Sequence, residues 1–188
     1  MTRLRTLICC IASAVVGYGA LWILEGLLKV PERWALTWVP GLVFYIALYV
    51  LIGRAQPYAK QALMAVVITA GWYLAQHFAQ SVYVYNTTTI ARSFYAAGAV
   101  GGAIGGLSMF LLLVLYSGRR TLADAALLMG VGAAVGSVTL KVAMDYTANG
   151  FELLALFLPW QIAMGQILMT QLVRDDFAVE INSMASSP

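Results

Sequence analysis

Six long apolar stretches divided by short polar breaks run through this sequence. They lie near Leu7–Leu28, Trp34–Ile52, Lys60–Val82, Phe94–Tyr116, Leu122–Met144 and Glu152–Val173. A helix needs roughly 20 apolar residues to cross a hydrocarbon core of about 30 Å, and only helices or closed barrels satisfy their backbones there. Barrel strands would alternate over about 10 residues; these runs are continuous. The expected fold is therefore an all-α integral membrane protein, a six-transmembrane-helix bundle. Residues 1–173 form the transmembrane domain in this reading, and 174–188 a short, mobile, polar tail large enough only for docking.

Composition narrows the function classes. The 188 residues are 62% hydrophobic and 10% charged, against about 25% charged in soluble domains. A soluble or disordered chain is excluded. The net charge of +3 comes from 11 scattered basic residues, which argues against nucleic acid as a partner.

Punctuation agrees with the spans. Pro31 and Pro57 stand at or just before helix starts, where a missing N–H costs nothing. Thr121 to Asp124 reads as a capping box and Ser93 as a cap of the fourth helix. With the N-terminus inside, Arg3, Arg5, Arg54, Lys60, Arg119, Arg120 and Arg174 face the cytoplasm. Lys29, Arg33, Arg92 and Lys141 fall outside, so charge bias places both termini in the cytoplasm. Trp22, Trp34, Trp38 and Trp160, with Tyr83, Tyr85, Tyr95 and Tyr146, then gather in the outer half, as an aromatic belt would. The apolar run after Arg3 and Arg5 reaches Leu28, too long for a cleaved signal core. Cys9 and Cys10 are adjacent and near the inner face, which disfavours a disulfide between them. Asn86-Thr-Thr88 forms a glycosylation acceptor, a motif common by chance.

Depth along each helix, at about 1.5 Å per residue, collects the ionisable groups in one layer. Glu25, His77 and Lys141 lie about 26–28 Å from the inner ends, with Asp145 a turn further. Charges within a bilayer usually face a bundle interior or a wet cavity. Glu25 and Lys29, like Lys141 and Asp145, also have the i,i+4 spacing of a structural ion pair. Trp72, Gln76, Gln80 and Tyr83 share a stripe beside Tyr73 and His77. Pro40 and Pro159 interrupt the second and sixth helices and free the carbonyls of Leu36 and Ala155. The candidate ligand site is thus an outer pocket of Glu25, Trp38, Trp72, Gln76, His77, Gln80, Lys141, Asp145, Trp160 and Gln161. Its chemistry would suit a small polar or zwitterionic solute.

The glycines point to packing. Gly98, Gly102 and Gly106 make a tandem small-residue face on the fourth helix, beside Gly101 and Gly105. The fifth offers Gly130, Gly132 and Gly136. Such faces let helix backbones approach closely, and the short turn near Ser117–Thr121 makes these two helices antiparallel neighbours.

Enzyme chemistry finds little support. One histidine and no CxxC or HExxH leave no case for a metal site or a cofactor. Gly106-Leu-Ser108-Met109 resembles the GxSG of rhomboid proteases only faintly. Ser108 lies about 12 Å from the inner face while His77 lies about 26 Å up, too far apart for a catalytic pair. No spaced arginines suggest a voltage sensor and no filter-like loop an ion pore. Six helices in under 200 residues, with both termini inside and an outer site, resemble in architecture the substrate-binding S-component of energy-coupling-factor importers. That likeness implies solute capture, with no motif and no ligand to carry over. The expected function is a solute transporter or solute-capturing subunit of a bacterial inner membrane. The alternative is a non-catalytic assembly subunit of a larger membrane complex, packing through its Gly-rich helices against other subunits or a second copy.

Overall fold

Helix ends leave backbone groups unsatisfied, and here local side chains and turns satisfy them. The computed structural model describes residues 3–29, 32–52, 56–85, 90–118, 120–146 and 152–185, with side chains over 3–29, 38–52, 56–83, 93–118, 120–145 and 154–172. Over these residues it is all-helical: α1 (Arg3–Gly26), α2 (Glu32–Ile52), α3 (Tyr58–Tyr85), α4 (Ile90–Ser117), α5 (Leu122–Tyr146) and α6 (Glu152–Ala185). Pro57 begins α3, its carbonyl accepting from the N–H groups of Lys60 and Gln61 at 3.0 Å each. Gly118 ends α4 in the left-handed region, φ 73°, donating to the Val114 carbonyl at 2.8 Å, the usual role of glycine after a helix. Thr121 and Asp124 form a reciprocal capping box. The Thr121 N–H donates to Asp124 Oδ2 at 3.0 Å, and the Asp124 N–H donates to Thr121 Oγ1 at 3.3 Å.

Two expectations need correction. Ser93 does not cap α4, because that helix begins three residues earlier at Ile90 and takes Ser93 into its first turn, buried. The segment after Val173 continues α6 to Ala185, giving a helix of 34 residues or about 51 Å. Nothing in Arg174–Ala185 is a proline or glycine that would stop it. Pro31 and Asn86–Thr88 lie outside the described residues.

Among the described residues, four helices are long and apolar enough to cross a membrane: α1, and α3, α4 and α5 over Tyr58–Tyr83, Ser93–Ser117 and Leu122–Asp145. A shorter apolar stretch, Trp38–Ile52, lies within α2. The outward faces are apolar too, with Ile8, Val16, Ile23, Ile46, Val66 and Val138 all exposed.

Sequence neighbours pack against one another, and α6 returns to α1 to close a ring; α4 also reaches across to α6. Glycines on three sides of α4 permit this. Cβ atoms on Gly98, Gly102 and Gly106 would collide with α5 backbone at Gly136, Gly132 and Leu128, so the two helices run antiparallel in near backbone contact. Gly101 faces Ala75 of α3, and Gly105 lies under the Trp160 ring of α6. Close backbone approach of this kind gains dispersion contact between helices.

The core divides in two. At the end carrying the termini, Phe44, Leu48, Met109, Leu112, Leu113, Met164 and Leu168 are all at most 1% exposed. At the far end a smaller cluster joins Ala14, Leu21 and Phe157, with Trp72 and Val39 against it.

Candidate functional site

Between these clusters the helices form a half-open cavity of about 100 Å³, walled by α3, α4 and α6 with contributions from α2 and α5. Its α4 wall runs from Ala97 to Met109, about 18 Å of helix. Two devices create it. Gly98, Gly101, Gly102 and Gly105 give it an α4 wall of bare backbone, although a Cβ on each would meet α5, α3 or Trp160 rather than open space. The facing walls carry large rings that brace one another, and one of them, Trp160, comes down onto Gly105 itself. Trp72 meets Phe157 edge to face at 4.7 Å and Trp160 at 6.5 Å, and Trp160 meets Phe44 at 6.0 Å. Such T-shaped contacts add to area burial. Gly41 in turn admits Trp72, since a Cβ there would stand 2.8 Å from Trp72 Cβ.

Polar groups on the walls are few. The Ser108 hydroxyl, packed where Gly71 has no side chain, donates to the Gly105 carbonyl at 2.6 Å. Gln76 brings an amide. Trp160 is 8% exposed, and its Nε1–H has no hydrogen-bond partner among the described residues. The six-membered ring of its indole, at Cζ2, Cη2 and Cε2, lies over Gly105 on the cavity's α4 wall, with Nε1 bonded to the last of these atoms. Toward the terminus-bearing end Phe44, Ile68 and Met109 floor the cavity, and the larger core cluster is solid beyond them.

The ten residues expected to form one outer pocket are divided by the structure. Trp72, Gln76 and Trp160 line the cavity. Trp38 stacks on Tyr73 at 5.9 Å, and Tyr73 stacks on His77 at 6.0 Å, making an exposed aromatic ladder on the outside of α2 and α3. Gln80 is exposed on the same helix. Lys141 pairs with Asp145 one turn on, and neither touches the cavity, although Leu140 does. Glu25 is partly buried near the end of α1. That helix stops at Gly26, so Lys29 follows in a left-handed turn, φ 55°, rather than as a helical i,i+4 partner. Gln161 is 1% exposed with its Oε1 unpartnered. It lies one turn before Gly165, which meets Cys10 of α1, and so belongs to the α1–α6 seam. Of the two prolines, Pro40 is buried against Gly17 of α1 and Pro159 is exposed; neither walls the cavity.

Depth along a helix carries no information on the direction in which a side chain points. Residues missed by the sequence reading include Phe44, Phe157 and Ser108, together with Gly101 and Gly105 as cavity walls. A signal existed: glycines at 98, 101, 102 and 105 cover more than one helix face, which is more than a single packing seam requires. Among the described residues no group of three histidine, cysteine or acidic side chains could hold a metal ion. No family model, curated protein or solved structure matches this chain.

Proposed function

We propose that this chain is a polytopic membrane protein that captures a small molecule inside its bundle, as a transporter or as the capturing subunit of one. The observation that carries the reading is the cavity: braced rings face a glycine wall around a buried, unpartnered indole N–H. Concave, mostly apolar sites with few convergent polar groups are the usual form of small-molecule sites. The solid core beyond Phe44 and Met109 favours capture over a continuous pore. A zwitterionic solute is no longer favoured, because Glu25, Lys141 and Asp145 stand off the cavity walls.

Seven basic residues belong to the end with the termini and four to the other. That bias supports cytoplasmic termini and an outward cavity. Exposed Trp22, Trp38, Tyr73, Tyr83 and Tyr95 at the far end suit an outer interfacial belt, and short loops suit a bacterial inner membrane. Native mass spectrometry of the protein, extracted in mild detergent from its own membrane, tests the reading. A monomer or homo-oligomer with a reproducible small-molecule adduct is expected. A stoichiometric complex of fixed composition, with no adduct, would instead favour an assembly subunit. The extension of α6 through Ala185, longer than a bilayer core requires, is the observation on that side.

A further inference from the structure

Resting on the capture reading, we infer that the ligand is a compact, neutral, mainly hydrocarbon molecule with one hydrogen-bond-accepting oxygen, which the Trp160 Nε1–H binds. Size comes first. A cavity of about 100 Å³ is smaller than the roughly 150 Å³ apolar cavity that holds benzene. A five-membered ring suits the walled space, which is half open. Polarity comes second. Rings, glycines and aliphatic side chains make nearly all the wall, so most of the ligand must be hydrocarbon to gain from leaving water or lipid headgroups.

The polar feature is set by what the walls leave unsatisfied. A buried donor without a partner costs free energy, and a ligand that supplies an acceptor recovers it. Trp160 Nε1–H is such a donor, and tryptophan can only donate there. Ser108 already directs its proton to Gly105. Gln76 brings an amide that can donate through N–H₂ or accept through its oxygen, and Trp72 a second indole N–H, so donors outnumber acceptors on the walls. Four rings are also the makings of an aromatic cage for a quaternary ammonium ion. No carboxylate lines the cavity, however, and a donor N–H aimed at a cation is repulsive, so a carbonyl or ether oxygen fits better.

The test uses the full chain in lipid nanodiscs, labelled with nitrogen-15 at its 5 tryptophan indoles. The Trp160 signal is assigned by its loss in Trp160→Phe. The probes are cyclopentanone, its hydrocarbon isostere methylenecyclopentane, and tetramethylammonium. Saturable binding of cyclopentanone should move the Trp160 N–H proton downfield, while methylenecyclopentane leaves it near its starting position. Trp160→Phe should weaken the ketone roughly three- to tenfold, the value of one neutral hydrogen bond, and leave the hydrocarbon unchanged. Ala79→Leu, which fills the cavity from α3, should abolish both.

Binding of both neutral probes with no N–H shift would overturn the hydrogen-bond assignment and leave capture standing. Tetramethylammonium binding more tightly than the ketone would overturn the neutral-ligand assignment alone. Failure of both neutral probes, or their undiminished binding to Ala79→Leu, would remove the cavity as the site. That result would take the capture reading with it.

Discussion

Replacing Gly102 with alanine adds one methyl group where α4 and α5 have no room for it. A Cβ there would stand 2.6 Å from the carbonyl carbon of Gly132 and 3.2 Å from Ala133 Cα, and closer still to the Gly132 oxygen. Carbon atoms settle at about 3.5–4.0 Å. The axes must therefore part by about 1 Å, which forfeits a quarter to a half of the dispersion well at each contact along the seam. Flexible side chains cannot absorb this strain, because both colliding groups are backbone. Overpacking of this kind typically costs about 1–3 kcal/mol, and the upper half of that range applies here. Against it stands the better helix propensity of alanine, up to about 1 kcal/mol. The net expectation is destabilisation by about 2 kcal/mol. Gly130→Ala is the control: it is exposed, and its Cβ would meet nothing within 4 Å. That variant should be neutral or stabilised by up to about 1 kcal/mol. Reversible unfolding in mixed micelles, with helicity followed against denaturing detergent, measures both. Equal stability of the two variants would refute the close antiparallel seam.

Three further outcomes follow from particular contacts. Cys10 is fully buried against Gly165 while Cys9 is partly exposed, so a maleimide should label Cys9 first in the folded protein and both once it is unfolded, as counted by mass. Thr121→Ala removes one half of the capping box and should cost about 1 kcal/mol in the same unfolding assay. Asp145→Asn breaks the i,i+4 pair with Lys141, whose side chains remain 17% and 34% exposed; the loss should stay under about 1 kcal/mol, with cyclopentanone affinity unchanged.

The helices were legible because their signal is one-dimensional. Run length and turn residues mark helix starts, as at Pro57, and again at Thr121 and Asp124. Where local signals competed, the reading slipped. Ser93 has the chemistry of a cap but sits inside a helix that begins at Ile90. The polar composition after Val173 hid a helix, because polarity reports contact with water and says nothing against helical backbone. The glycine face of α4 was readable by its period of four, since a Gly98–Gly102–Gly106 stripe can gain close contact only from another small-residue stripe, and α5 carries one at Gly132 and Gly136.

The cavity was not legible, and the reason lies in how depth and direction are encoded. His77 and Gln76 share a level, yet adjacent helical residues point about 100° apart. Gln76 accordingly reaches the cavity while His77 stacks on Tyr73 outside. Polar residues drew attention to the layer because charges within a bilayer are costly, but Lys141 and Asp145 resolve that cost by pairing with each other. The site was made by what is missing from α4 rather than by what is present on α3. Gly105 carries no side chain, so the Trp160 ring can rest on the α4 backbone; Gly71 carries none, so Ser108 can turn its hydroxyl back on its own helix. A bilayer-spanning bundle filled with leucine would close such a space. Rings braced edge to face beside a glycine wall line it here, and the unpartnered indole N–H gives it one chemical preference.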